Sequence, residues 1–400
     1  MSPAVQSLPF APVASRAATP RVHAIDVVRG LAMVIMALDH IREFWTPTPV
    51  RAEDVAHASV LLFFTRWITH FCAPTFVFLA GTSVFLLQQK YADKGRVSRF
   101  LLTRGLWLIG LEIVVVNFLL QWGAYNLILL QVIWAIGWGM VVLAGLIWLP
   151  RGLTAALALL VILGHNALPN IQPVTAATLL PALLYDSPFL YQLTPKLPVL
   201  AAYTILPWTA VLAAGYVIGP WFREPLALRN RHLRLAGAGA LLLFVMLRFS
   251  NWYGDPQPWA GQARGPLYTA LSFINVTKYP PSLLFLSLTL GVALLLLSVA
   301  EDVPTRLRGW LSVFGKVPMF YYLMHLVLIS GGALVWTWAK FGQPYNLSFA
   351  PPGVPQPAAY QPSLLRAYVV WAVVVLALYW PCRWYQGYKQ RHSHWWLSYL

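Results

Sequence analysis

The chain is a succession of apolar runs, each about as long as a membrane is thick, and that pattern leaves few folds open. A helix needs about 20 mostly apolar residues to cross the hydrocarbon core. Such segments fall near residues 24–46, 60–89, 100–120, 126–148, 152–168, 198–221, 232–249, 280–300, 309–338 and 363–382. Lipid supplies no hydrogen-bond partner, so a lone segment inside it pairs its backbone groups internally, as a helix. The expectation is an all-α, polytopic integral membrane protein with about ten transmembrane helices. Only 10% of the residues are charged, against roughly 25% in soluble domains, too few for a soluble surface. One membrane domain is expected over residues 23–386, after a disordered tail at 1–22 and before a basic, aromatic tail at 387–400.

The formal net charge is +16. In a soluble chain that excess points to nucleic acid; here the cations sort by loop and read as topology determinants. One set of loops holds Arg16, Arg21, Lys90, Lys94, Arg96, Arg99, Arg104, Arg151, Arg223, Arg229, Arg231, Arg234, Arg306, Arg308, Lys316, Arg383, Lys389 and Arg391. The alternate set holds only Arg51, Lys196, Arg248, Arg264, Lys278 and Lys340. The positive-inside rule puts the first set, and both termini, in the cytoplasm of a cell (inner) membrane protein. Cys72 and Cys382 are expected near opposite faces and unpaired, and no metal-ligand spacing is present.

Ionisable groups within a span are costly and are functional candidates by default. His40 lies roughly 24 Å along the first helix and His70 roughly 28 Å from the inner end of the second, so both reach the outer level. His325, Asn117, Gln121 and Gln131 share that level. Asp39-His40-Ile41-Arg42-Glu43 puts a carboxylate beside a histidine and one turn from an arginine. Pro74 leaves the His70 carbonyl without its helical donor and is expected to kink the helix there. Glu112 sits near mid-membrane and needs a partner or a proton. Asp26 and Arg29 are spaced for a local ion pair, and Tyr321, Tyr322 and His325 for an aromatic stripe.

Several of these residues fall in stretches that resemble a known family. Asp26-Val27-Val28-Arg29-Gly30 is similar to the Asp-x-x-Arg-Gly opening of the heparan-α-glucosaminide N-acetyltransferase catalytic-domain family, within the transmembrane acyltransferases. Pro74-Thr75-Phe76-Val77-Phe78-Leu79-Ala80-Gly81-Thr82-Ser83-Val84-Phe85 resembles its Pro-x-Phe-Val-Phe-x-x-Gly-x-Ser-x-Phe. Leu38-Asp39-His40-Ile41-Arg42, Arg66 to Pro74, Thr277-Lys278-Tyr279-Pro280-Pro281-Ser282-Leu283, Gly315 to Tyr322 with His325, and Trp395 to Leu400 resemble its bacterial branch. The resemblance implies transfer of an acetyl group from acetyl-CoA to an acceptor on the non-cytoplasmic side. It also implies differences: the sugar-acetylating members have asparagine where His40 aligns, an acidic residue where His70 aligns, and a catalytic histidine in the loop after the first helix. Here that loop carries His57, with Asp54 nearby.

The expected function is therefore acyl transfer. Acyl-CoA binds from the cytoplasm with Lys94, Arg96 and Arg99 on its phosphates. His40 or His70 acts as base, with Asp39 and Arg42 in support, and transfer goes directly or through an acyl-histidine. Arg66, Glu112, Asn117, Gln131, Lys278, Tyr279, Tyr322 and His325 are expected to wall the site. The partners are the lipid bilayer, acyl-CoA and an extracytoplasmic glycan or small-molecule acceptor, with no nucleic acid; a homodimer is left open. The rival is a proton-coupled transporter or permease, because intramembrane His and Glu with proline-broken helices serve transport too.

Overall fold

A computed structural model describes residues 22–91, 93–123, 125–350 and 354–398. Arg16, Arg21, the expected tail up to residue 21, and the last two residues of the C-terminal motif lie outside the described residues. In chain order the helices are α1 (His23–Trp45), α2 (Val60–Trp67), α3 (Cys72–Lys90), α4 (Lys94–Leu111), α5 (Asn117–Gln121), α6 (Val132–Leu146), α7 (Arg151–Gly164) and α8 (Leu179–Tyr185). They continue with α9 (Ile205–Ile218), α10 (Leu226–Ser250), α11 (Pro266–Ile274), α12 (Leu283–Val299), α13 (Thr305–Lys316), α14 (Pro318–Leu326), α15 (Gly332–Phe341) and α16 (Leu364–Arg391).

Six continuous helical stretches are long and apolar enough to cross a membrane: Val60–Lys90, Lys94–Gln121, Ile205–Arg223, Leu226–Ser250, Pro318–Phe341 and Leu364–Arg391. Three shorter apolar helices accompany them, Val132–Leu146, Arg151–Ala167 and Leu283–Val299. The protein is thus a helical, multi-pass membrane protein. α1 is long enough but carries Asp26, Arg29, Asp39, Arg42 and Glu43 and is not apolar enough to join the six.

Three features depart from the expected pattern. First, the segments expected at 126–148 and 198–221 begin as strands, β1 (Ile128–Leu130) and β3 (Leu197–Ala201). β1 pairs parallel with β3, and β3 antiparallel with β2 (Phe189–Thr194). Apolar β-rich runs read like helix, and periodicity does not separate the two over so few residues. Second, the segment expected at 309–338 breaks at Val317, because Pro318 lacks the N–H that would continue the helix. Third, α16 runs on to Arg391, past the expected boundary at 386.

Helices meet in pairs across glycines. A Cβ on Gly81 would sit 1.8 Å from the Leu212 carbonyl oxygen, and one on Gly215 1.9 Å from that of Phe78, so the α3 and α9 backbones touch. Gly30 and Gly315 do the same for α1 and α13, at 2.0 Å from Leu311 O and 1.9 Å from Asp26 O. Gly105 faces Gly137 between α4 and α6, and Gly237 faces Gly291 between α10 and α12. Lipid drives helices together weakly, so such small-residue seams, which let dispersion act at close range, carry much of the packing. Cys72 and Cys382 are both buried and free.

Candidate active site

Proline chemistry builds the first element. Pro74 leaves the His70 carbonyl without a helical donor, and the chain between α2 and α3 tightens into a 3₁₀ turn over Ile68–Phe71. Hydroxyls brace the turn: Thr69 Oγ1 donates to Arg66 O (2.7 Å) and Thr75 Oγ1 to Phe71 O (2.6 Å). His70 is 4% exposed, packs edge-on against Phe285 (5.6 Å between ring centres), and neither ring nitrogen has a hydrogen-bond partner.

Arg66, one turn earlier and 5% exposed, ties this turn to α1. Its Nη1 donates to Asp39 Oδ2 (2.5 Å) and its Nε to Glu53 Oε1 (2.9 Å). Arg42 Nη2 completes the chain to Asp39 Oδ1 (3.2 Å) and Glu43 Oε1 (3.4 Å). The expected Asp39–Arg42 pair is present, but the Asp39 carboxylate is engaged by two guanidinium groups rather than by His40. Glu53 lies in the loop after α1. Burial pushes its carboxyl up, and the Arg66 charge outweighs that and holds it below the usual carboxylate range.

His40 instead meets His325: the ring centres are 5.2 Å apart. His325 is fully buried, and its Nδ1 faces the carbonyl oxygens of Tyr321 (3.2 Å) and Tyr322. Carbonyls only accept, so the proton sits on Nδ1 and Nε2 keeps its lone pair. That Nε2 has no hydrogen-bond partner, and neither has His40 Nδ1, which lies 3.8 Å from Glu43 Oε2. Tyr321 stacks on His325 at 5.5 Å and Tyr322 lies 5.3 Å from it. Buried polar atoms are nearly always paired, yet here His40, His70, His325 and Tyr321 together leave several unsatisfied.

Two π-helical turns flank the cluster, Glu112–Val116 and Val327–Gly331; such turns are often found at functional sites. Glu112 is fully buried; its Oε1 accepts from the Gln131 backbone N–H (3.1 Å) and its Oε2 has no partner. The Asn117 side chain is engaged with backbone: it donates to Glu112 O and Leu129 O and accepts from Leu129 N, holding β1 against the π turn. Gln121 braces Asn126 and Leu127 in the same way. Gln131 contributes to the site through its backbone.

Cavities open on opposite faces, and the apolar one reaches the cluster at Tyr322. On the face where α1 begins, an apolar cavity of about 340 Å³ runs between α1, α3, α4, α6 and α14, walled by Met33, Ala80, Ile136 and Met140 and reaching Tyr322. Arg29, Ser83 and Arg104 are its polar wall groups, and Arg29 Nη2 donates to Ser83 Oγ at 2.9 Å. Arg29 and Ser83 also line a neighbouring cavity of about 610 Å³ with His23, Arg223 and Arg229. On the face where α1 ends, a polar cavity of about 710 Å³ is lined by Glu53, Asp54, Arg66, His70, Lys278 and Tyr279, among others. Lys278 lies within electrostatic reach of Asp39, His40 and His70. Its segment is pinned from the 3₁₀ turn that follows α7: His165 Nε2 lies 2.7 Å from Pro281 O, and Asn166 Oδ1 accepts from Leu283 N at 2.7 Å.

The structure thus brings Asp39, Arg42 and Arg66 into one network. His40, Tyr322 and His325 form one ring cluster, and His70, Lys278 and Tyr279 line one cavity. It does not gather the expected phosphate residues: Lys94 lines a separate first-face cavity with Arg151 and Arg223, Arg96 lies over the Tyr91 ring, and Arg99 is exposed. His57 is exposed and its Nδ1 lies 2.7 Å from Asp54 Oδ2, a contact that holds the Asp54 carboxyl below its ordinary value. Sequence reasoning missed Arg104 and read Arg29 only as a helix-seating residue. Their signal was present: each is a cation within or beside an apolar run.

The family profile for the heparan-alpha-glucosaminide N-acetyltransferase catalytic domain matches residues 21–249, more than half of the chain. The chain belongs to that family. It is therefore a member of a family of transmembrane acetyltransferases. The matched span contains His40, Arg66, His70 and Glu112; Lys278, Tyr322 and His325 lie beyond it. A search of the curated proteins finds no match.

Proposed function

We propose that this protein transfers an acetyl group from acetyl-CoA, bound from the cytoplasm, to a hydroxyl or amine of an acceptor on the extracytoplasmic side. The observation that carries the proposal is the buried ring cluster of His40, Tyr322 and His325, whose Tyr322 lines the apolar cavity of the first face, together with His70 in the polar cavity of the other. In this reading the six long helices, the three short ones and α1 make ten spans of one membrane domain. The first face, with its cation-rich loops, is cytoplasmic, and so are both termini, in an inner-membrane setting.

The pantetheine arm lies in the apolar cavity, and Arg29 and Arg104 supply positive charge at its polar end, with Lys94, Arg96 and Arg99 outside on the same face. The thioester then reaches the ring cluster. His40 or His70 takes the proton of the acceptor hydroxyl or amine as that atom attacks the thioester carbon. The other histidine, or Arg42, faces the developing oxyanion. The C–S bond breaks, the new C–O or C–N bond forms, and the imidazolium returns its proton to the departing thiolate. Asp39, engaged with Arg42 and Arg66, fixes their positions rather than the histidine's tautomer. The lone pair on His325 Nε2 beside His40 supports a role for His40 as the ring that moves a proton.

Purified protein in proteoliposomes, given radiolabelled acetyl-CoA outside and candidate glycan acceptors, tests the proposal. Labelled acceptor is expected. Uptake of labelled solute with no turnover would replace it with the transporter reading. Reporter fusions after Lys94 and Arg229 are expected to report cytoplasm and one after Pro258 the outside; an outside signal after Arg229 would overturn the topology.

A further inference from the structure

Lys278 is buried and, among the described residues, has no hydrogen-bond acceptor. It is 9% exposed, and among the described residues no carboxylate lies within ion-pair distance of its ammonium. Its Nζ sits over two rings, 5.0 Å from Tyr279 and 5.8 Å from Tyr203, inside the wall of the polar second-face cavity. The neighbouring carboxylates are already claimed. Asp39 and Glu53 bind Arg66, Glu43 binds Arg42, and Asp54 faces His57. The other cations of the cavity wall are Arg66 and Arg248, both hydrogen-bonded within the protein, and Arg51. The ammonium faces the cavity with two aromatic rings and no carboxylate beside it, and aromatic faces are a weak counter-charge.

We propose that the acceptor bound in this cavity carries an anionic group, a carboxylate or phosphate, that docks on Lys278 between Tyr203 and Tyr279. The docked anion places the acceptor's hydroxyl or amine toward His70 in the same cavity. The proposal rests on the acceptor side of the function proposed above, and names its substrate class. Two sources present this chemistry, a soluble or polymeric sugar acid or sugar phosphate, and an anionic lipid headgroup.

The test is binding, which needs no turnover, so its failure is distinct from failure of the acetyl-transfer reading. Full-length protein in phosphatidylcholine nanodiscs is titrated calorimetrically with glucuronate and glucose 6-phosphate, and with glucose and methyl glucuronate as neutral counterparts. A charge-assisted hydrogen bond predicts a preference of about 10- to 100-fold for the charged probes. Lys278→Gln is expected to abolish that preference and Lys278→Arg to keep part of it. The wild-type comparison stands even if either variant folds poorly. In a second arm, nanodiscs containing phosphatidylglycerol are expected to leave the soluble-probe preference intact if the source is a sugar. Competitive loss of probe binding there assigns the site to the lipid headgroup. Equal binding of charged and neutral probes, no binding of any anionic probe with no effect of phosphatidylglycerol, or a preference unchanged by Lys278→Gln, overturns the proposal.

Discussion

Replacing Arg66 is the sharpest perturbation of the site's framework. Its guanidinium is nearly buried and holds Asp39 at 2.5 Å, Glu53 at 2.9 Å and Thr69 Oγ1 at 3.3 Å. In Arg66→Met the Asp39 carboxylate keeps only the Arg42 contact at 3.2 Å, and Glu53 loses its one guanidinium partner. Breaking a buried pair from one side costs about 3–5 kcal/mol, because a desolvated charge is left behind. Glu53 is about one-third exposed, and water recovers part of its share, so the lower end, about 3 kcal/mol, is expected. Arg66→Lys recovers little, since an ammonium cannot span two carboxylates in a fixed fork. The assay is a double-mutant cycle on thermal unfolding in nanodiscs. Arg66→Met and Asp39→Asn are each expected to destabilise, and the double variant is expected to be less damaged than the sum, with a coupling of about 1–3 kcal/mol. Strict additivity, or an Arg66→Met protein as stable as the parent, would refute the view that this pair is the hinge between α1 and the His70 turn.

His40→Ala or His70→Ala is expected to lower turnover by about 10²- to 10⁴-fold in a folded protein, and His57→Ala by far less. Turnover lost only in His57→Ala would move the chemistry to the loop after α1. Arg29→Ala with Arg104→Ala is expected to weaken acetyl-CoA binding more than the triple alanine variant of Lys94, Arg96 and Arg99; the reverse order in equilibrium binding would take the donor out of the apolar cavity. Gly215→Ala puts a methyl 1.9 Å from a backbone oxygen and is expected to cost about 1–3 kcal/mol or more, whereas Gly110→Ala meets nothing within 4 Å and is expected to be neutral or slightly stabilising in the same unfolding assay. Glu53 adds a pH term. Its depressed carboxyl stabilises the fold above the ordinary glutamate value of 4.5, and that contribution is lost as the pH falls through the lowered value. Glu53→Gln is therefore expected to flatten the acid limb of a stability profile, and an unchanged limb would discount the pair.

Much of this was legible in the chain. Apolar runs long enough for lipid marked the six long apolar helices, Pro74 marked the broken turn at His70, and the spacing of Asp39 and Arg42 marked their contact. What stayed hidden depends on distance in sequence. Arg66 and Asp39 are on different helices, and nothing local pairs them. His325 meets His40 only because α14 packs on α1, and the tautomer of His325 follows from two carbonyls of its own helix that the ring turns toward in the fold. The strands β1 and β3 were hidden by their apolarity, since a short buried strand and a turn of buried helix look alike in sequence. Asn117 looked like a cavity residue because it is polar and deep; its backbone-bracing role follows from the strand it holds.

The glycine contacts divide the molecule into couples that do not slide. Where carbonyl and Cα of two helices already touch, rotating one past the other forces a collision within a fraction of an ångström, so α1 with α13, α3 with α9, α4 with α6 and α10 with α12 each behave as one stiff beam. The apolar cavity lies inside none of these couples: its walls come from α1, α3, α4, α6 and α14, so it is the gap where three beams meet. Under the proposed function, a long donor would enter this gap by tilting one beam against another, most simply α4 with α6 away from α1 and α3.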